Sequence, residues 1–285
     1  MLEHFGHSLI QHGTSSDRIY LMKLAREDFP AIISQLDSLA SHHGYGKIFI
    51  KVPAWARPSF EQQGYVVEAQ VPGFYNGCDD AFFMARYGDP HRRVDPDASR
   101  VAEVLQVAQQ KKNTSSHICC DPTLTCRPAG PKDCPRMARL YREVFASYPF
   151  PIHDSGYLAS TMAQQVRYAG IWQDDELVAL ASAEMDCRDQ NAEMTDFATL
   201  PSMRGRGLAH QLLHRLEQQA AGEGITTFYT IARATSFGMN ITFAQCGYIF
   251  AGTLIRNTQI SGGLESMNVW YKHAKPTDSL TQLAE

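Results

Sequence analysis

The stretch from Asn191 to Gly222, NAEMTDFATLPSMRGRGLAHQLLHRLEQQAAG, constrains the fold of this chain more than any other. Residues 192–200 are mostly β-branched, aromatic or apolar and are closed by Pro201, a run too short for a helix, so they predict a strand. Beyond it Leu208, Leu212, Leu213, Leu216 and Ala220 recur at three- and four-residue spacing until Gly222 and Gly224 stop the pattern, which predicts a helix with one buried stripe. The two are joined by Met203-Arg204-Gly205-Arg206-Gly207-Leu208-Ala209. A glycine-rich turn feeding a helix exposes unpaired backbone N–H groups at the positive end of the helix dipole, an arrangement suited to phosphate. Gly205 and Gly207 allow the backbone to approach an anion, Ala209 keeps the first helical turn open, and Arg204 and Arg206 add mobile positive charge. The spacings GxxxxGK[ST] and GxGxxG are both absent, which excludes a Walker loop and a dinucleotide fingerprint. On the short pattern alone, a plain glycine-rich turn stands as the alternative.

At 285 residues the chain is long enough for two domains. A net charge of -4 lacks the basic footprint of a nucleic-acid binder, so no nucleic-acid partner is expected. His4, His7, His12, Asp17 and Arg18 interrupt the first twenty residues, and no stretch approaches a membrane span, so a cytoplasmic protein without a membrane partner is expected. Seven cysteines fit a reducing compartment. His117, Cys119, Cys120, Cys126 and Cys134 cluster, but without CxxC spacing; free thiols and no metal are expected.

Read in order, Arg18–Leu24 predicts a strand, Glu27–His43 a helix, Lys47–Val52 a strand, Ala56–Gln63 a short helix, and Tyr65–Val71 and Ala81–Tyr87 two strands. This half parallels the later one: in KIFIKVPAWARPSFEQQGYVVEA and TFYTIARATSFGMNITFAQCGYIFAGT, Phe60 precedes Gly64-Tyr65 as Phe243 precedes Gly247-Tyr248. We read a degenerate internal repeat. Its first copy joins strand to helix through Ala25-Arg26-Glu27-Asp28 and lacks the glycine loop. A turn-rich and polar connection over 91–123 includes a helix at Val101–Lys112. The second domain, 124–273, holds helices from Met137 to Phe145 and Ser155 to Val166, a hairpin of Arg167–Trp172 with Leu177–Cys187, and the Asn191–Gly222 unit. A strand at Thr226–Ile231 and a helix at Phe237–Gln245 follow, then strands at Tyr248–Leu254 and Met267–Lys272 joined by a long polar stretch, with a frayed polar tail over 274–285.

Arg204-x-x-Gly207-x-Ala209, after a strand and opening a helix, resembles the pyrophosphate loop of the Gcn5-related N-acetyltransferases (GNAT). The resemblance implies an α/β (α+β) GNAT acyl-CoA N-acyltransferase fold in the C-terminal part, a degenerate GNAT-like domain over 1–90, and acetyl-CoA as cosubstrate bound by Arg204 to Ala209. It also implies that the thioester arm follows backbone groups near Ala198 and Thr199. Ser236 stands where the family commonly has a cofactor-touching asparagine, and Asn240 lies one turn later. Acetyl transfer needs a neutral amine, oxyanion donors and a proton for the thiolate. Glu193 matches the general-base glutamate of histone-type members, and period-two alternation puts it on the face of Thr199. Glu184, Asp186 and Asp196 are the other acidic candidates. The tyrosine that commonly protonates the thiolate is replaced by Phe243, leaving water or Tyr248. The eleven histidines suggest no triad.

DRIYLMKL, YGKIFIKVPA, GYVVEAQVPGFYNG, SFGMNITFAQCGY and AGTLIRNTQISGGLESMNVWYK are similar to the beta-lysine N-acetyltransferases. That resemblance implies acetylation of the terminal (N6) amine of β-lysine to a neutral zwitterion that accumulates without a counterion, by a monomer or homodimer. The acceptor's carboxylate and retained amine are expected near Tyr148 to His153 (Tyr148 above all), Glu184, Arg256, Asn257 and Glu265. Another diamine, an amino acid, a protein lysine, or a non-catalytic acetyl-CoA-binding regulatory module remain as alternatives.

Overall fold

The computed structural model describes residues 1–112, 121–148, 150–260 and 262–274. A hairpin of β1 (Leu2–Phe5) and β2 (Ser8–Gly13) precedes β3 (Arg18–Lys23), α1 (Ile32–His43), β4 (Lys47–Pro53), α2 (Arg57–Gln62), β5 (Val66–Tyr75) and β6 (Asp79–Tyr87). After α3 (Ala98–Lys111) come β7 (Leu124–Ala129), α4 (Cys134–Val144), α5 (Ser155–Ala163), β8 (Val166–Gln173) and β9 (Glu176–Asp186). The glycine-loop unit follows as β10 (Asn191–Thr199) and α6 (Leu208–Gly222), and β11 (Thr227–Arg233), α7 (Phe237–Gln245), β12 (Ile249–Ile260) and β13 (Gly263–His273) complete the fold. Helix α3, in the expected connection, packs on α7.

The strands form one sheet in the order β1-β2-β3-β4-β6-β5-β12-β13-β11-β10-β9-β8-β7. Only β3/β4 and β10/β11 are parallel among the described pairs. The repeat is visible in space: β3-β4-β6-β5 mirrors β10-β11-β13-β12, with α1 and α2 placed in sequence as α6 and α7 are. Its local signature is duplicated as well. Tyr65 N–H donates to the Phe60 carbonyl at 3.1 Å and Tyr248 N–H to that of Phe243 at 3.0 Å, and each Phe–Tyr pair packs edge-on at 5.1 Å. The intervening glycines sit at φ 82 and 84, which favours glycine.

The two halves meet where β5 pairs with β12 at Ala69↔Gly252. A Cβ on Gly252 would lie 2.1 Å from the Glu68 carbonyl oxygen, so only glycine permits this approach. Buried polar groups fasten the seam. Lys47 pairs with Glu68 at 2.9 Å and donates to the Ile255 carbonyl, and Arg18 donates to the Asn257 carbonyl. Aromatic and aliphatic side chains of both halves, including Phe49, Phe74, Phe83, Tyr229, Leu254 and Val269, share a core beneath it.

Several boundaries differ from expectation. Helix α1 begins at Ile32, after Pro30, because a short 3₁₀ turn takes Arg26–Asp28. The polar stretch expected between the last two strands is itself strand up to Ile260, with a register shift between Leu254 and Thr258. Its backbone is held from outside: Arg18 donates to the Asn257 carbonyl, Arg92 to that of Arg256, and the Gln259 N–H donates to the Ser16 hydroxyl. The β1–β2 hairpin was unanticipated. His117, Cys119 and Cys120 of the thiol cluster and residues 275–285 of the tail lie outside the described residues. Among the described residues, no helix is long and apolar enough to cross a membrane.

Candidate active site

Strands β10 and β11 pair over only three positions, Asn191↔Thr227, Ala192↔Phe228 and Glu193↔Tyr229, and then diverge. The register of β10 on β9 slips between Thr195 and Ala198, where Asp196 takes φ 55. Such a bulge inserts one residue and bends the strand away from its neighbour. The facing edges of Thr195–Thr199 and Thr230–Arg233 are thereby left without a strand between them, and a cleft of about 820 Å³ opens there.

The cleft runs to the glycine loop, where Arg204, Gly205, Gly207, Leu208 and Ala209 line it. Gly205 and Gly207 have φ 76 and 72, and Gly207 caps α6 without a side-chain acceptor, so the first amides of the helix are left for a ligand. Thr199 and Ser236 line the same cleft, and Phe243 lies against Phe197 at its side. The Ala198 side chain is buried in the core, which does not bear on the role expected of its backbone. Two expected cofactor residues are turned away. Arg206 is paired with Asp121. Asn240 is buried, with its amide donating to the Arg233 and Ser236 carbonyls and its oxygen accepting from Asn268 and Trp270.

A second cavity, of about 970 Å³, lies between the two halves and contains the Glu193–Tyr229 pair at which the strands part. From the second half Glu184, Asp186, Arg188, Asp189 and Glu193 line it; from the first half come Lys23, Arg26 and Lys51, with Glu27, Asp79, Tyr20 and Trp55. Glu184 stands directly opposite Glu193 across β9 and β10. The Glu184 side chain is exposed to the cavity, yet desolvation by the surrounding walls, then the charges of Glu193 and Asp196, push its carboxyl up to about 8. Burial also raises Glu193, opposed by Lys51 and by a hydrogen bond from Tyr229. Lys51 donates to the Tyr229 hydroxyl at 3.1 Å, which joins Lys51, Tyr229 and Glu193 in one chain.

The bulge overturns one expectation. Because Thr195 pairs with Ser182 while Ala198 pairs with Leu180, Glu193 and Thr199 lie on opposite faces. Tyr148 lines the cofactor-side cleft, donating to Asp196 at 2.5 Å, and Ser182 donates to the other Asp196 oxygen at 2.6 Å. Tyr248 is fully buried against Phe243 and reaches neither cavity. Arg256 and Asn257 also lie outside both: the Arg256 carbonyl accepts from Arg92 and that of Asn257 from Arg18. Glu265 pairs with Arg233, a cleft residue, at 2.6 Å. Lys51 and Tyr229 were missed, although a lysine inside the apolar run KIFIKV signals an inward-facing charge.

Residues 136–248 match the Acetyltransferase (GNAT) family. The Beta-lysine N(6)-acetyltransferase of Methanococcus maripaludis is 37% identical over 265 residues, 93% of this chain and 96% of that protein. The chain belongs to the GNAT acetyltransferase family. Its other relatives include the Beta-lysine N(6)-acetyltransferase of Methanosarcina mazei, 31% identical over 85% of this chain and 96% of that protein. N-acetyltransferase YodP of Bacillus subtilis is 35% identical over 79% of this chain and 82% of that protein. The chain is an acyltransferase with acetyl-CoA as cosubstrate, and the open strand edges and free helix amides suit the arm and phosphates of that thioester.

Proposed function

We propose that the enzyme transfers acetyl from acetyl-CoA to the terminal amine of β-lysine, giving N6-acetyl-β-lysine. The observation that carries this reading is the position of Glu193 and Tyr229, the last paired residues of β10 and β11: the cofactor-side cleft begins beyond them, and the cavity between the halves surrounds them. The names of two relatives aligned over nearly their full length favour β-lysine as the acceptor. The same reading divides the chain into a degenerate half at 1–90, a connection at 91–123 and the transferase at 124–273, in a cytoplasmic monomer or homodimer.

In this reading the acceptor enters from the cavity between the halves. Glu193, whose proton affinity is raised by burial, takes a proton from the ammonium. The freed lone pair attacks the thioester carbonyl, the C–N bond forms and the C–S bond breaks. The leaving thiolate takes its proton from solvent at the open side of the cleft, since the Tyr148 phenol already donates its proton to Asp196. Arg204 with the amides of Gly207 to Ala209 hold the phosphates, and Thr199 and Ser236 line the arm's path.

The test is release of free coenzyme A with β-lysine, α-lysine, a polyamine and a lysine peptide supplied separately. The highest kcat/KM is expected for β-lysine, and Glu193→Gln should lower it by about 100-fold or more, the scale of general-base catalysis. Coenzyme binding without turnover on any amine would replace this reading with a non-catalytic module.

A further inference from the structure

We infer that the first half, which carries no phosphate loop, supplies the acceptor's carboxylate site, with the Lys51 ammonium as its anchor. This deepens the β-lysine reading and rests on it.

The two inward lysines of β4 have different surroundings. Lys47 is saturated: it meets both Glu68 oxygens at 3.2 and 2.9 Å and the Ile255 carbonyl at 2.7 Å. Lys51, on the same face, makes one hydrogen bond, to Tyr229, and no ion pair with any described residue. Asp186, across the cavity, is taken by Lys23 at 2.7 Å. An ammonium has three donors, so Lys51 has capacity left, and it borders the cavity. The rings of Phe74 and Tyr229, each 5.2 Å away, hold its head in place. Glu193, Asp186 and Glu184 act on Lys51 across the cavity, but none of them pairs with it directly, and a desolvated cation with donors unfilled at a cavity wall favours an anionic ligand group.

The repeat gives this position an independent meaning. In the second half the cofactor-side cleft opens between diverging β10 and β11 and runs to the loop before α6. In the first half β3 and β4 pair through Leu21↔Ile50; beyond that point Met22, Lys23, Leu24, Lys51 and Pro53 line the cavity between the halves, as do Ala25 and Arg26 of the following turn. The first copy's equivalent of the cofactor cleft is therefore part of the acceptor cavity. With Glu184, Asp186 and Glu193 on one side and Lys51 on the other, where Glu27 and Asp79 are accompanied by Lys23 and Arg26, the cavity matches a diamine that also bears a carboxylate, and disfavours a polyamine.

The experiment compares kcat/KM for β-lysine with that for the same diamine lacking its carboxylate. Wild-type enzyme should prefer β-lysine, and Lys51→Met should lower that preference by roughly 10- to 100-fold, the loss of a hydrogen bond to a charged group. Lys51→Arg should retain most of it. The ratio cancels any effect of Lys51 on Glu193 or Tyr229 that acts on both acceptors. Equal use of both acceptors by wild-type enzyme, or an unchanged ratio in Lys51→Met, would overturn the inference, and the wild-type arm requires no variant to fold. If β-lysine is not turned over but another amine is, the substrate reading fails separately, and the comparison is repeated with that amine and its carboxylate-bearing or carboxylate-free counterpart.

Discussion

Replacing Glu184 by glutamine should change how stability depends on pH. An exposed glutamate titrates near 4.5, whereas the native Glu184 carboxyl is pushed up to about 8 by desolvation first, then by Glu193 and Asp196, with Lys51 opposing. In the window between these values the native state holds a proton that the unfolded chain has released, so stability is highest below the window and falls as pH rises through it. The full slope is about 1.4 kcal/mol per pH unit for one proton, but the Glu184 side chain is exposed to the water of the cavity, which screens the shift, so a loss of roughly 1 kcal/mol is expected. The substituted glutamine preserves the shape of the neutral carboxyl but has no proton to lose. Urea unfolding of both proteins near pH 5, 7 and 9 should show similar stability at the acid end and a growing advantage for Glu184→Gln toward the alkaline end. Parallel stability curves would refute the reasoning, because they would mean that Glu184 is charged in the native state throughout, or that its charge is compensated by a partner.

Two further substitutions probe the seam and the proton path. Gly252→Ala places a methyl group against the Glu68 carbonyl and the Ala69 backbone, which cannot move as a side chain can; a loss of about 3 kcal/mol is expected in urea unfolding, with a raised acceptor KM in the fraction that folds. Tyr148→Phe removes the phenol that donates to Asp196 and should leave kcat nearly unchanged, as should acetyl-CoA binding followed by calorimetry; a loss of kcat of roughly 100-fold would assign the thiolate's proton to Tyr148 instead of solvent.

What could be read from the chain alone was what local patterning encodes. The apolar spacing of Leu208 to Ala220 and the breakers around it delimited α6, and the Phe60-to-Tyr65 and Phe243-to-Tyr248 segments disclosed a repeat that the sheet order bears out. The β10 bulge was not legible, because Asp196 is held in its left-handed conformation by tertiary partners, Ser182 and Tyr148, far from it in sequence. Missing that one residue put Glu193 and Thr199 on the same face. Arg256 and Asn257 look like loop residues free to meet a substrate, yet their backbones are bound by Arg92 of the connection and Arg18 of the first half. The cavity between the halves was out of reach for the same reason: Lys51 and Glu193 share it only because β5 and β12 bring the two copies together.

That joining explains how a copy without a cofactor loop can serve the reaction. Direct transfer requires the thioester and the amine to meet at one point while entering separately, and a single diverging strand pair provides only one of the two entrances. Here the second copy's divergence begins at Glu193 and Tyr229, and the first copy's faces it across the seam with Lys51 beside Tyr229. The arrangement depends on two contacts that leave no latitude, the Gly252 approach and the saturated Lys47–Glu68 pair. Lys47, fully paired, fixes where β4 lies; Lys51, on the same face and without a direct ion pair, is then held at a defined distance from Tyr229 and through it from Glu193. On the reading proposed above, the first half acts on chemistry located in the second by presenting one charge at a position that the second half alone could not hold.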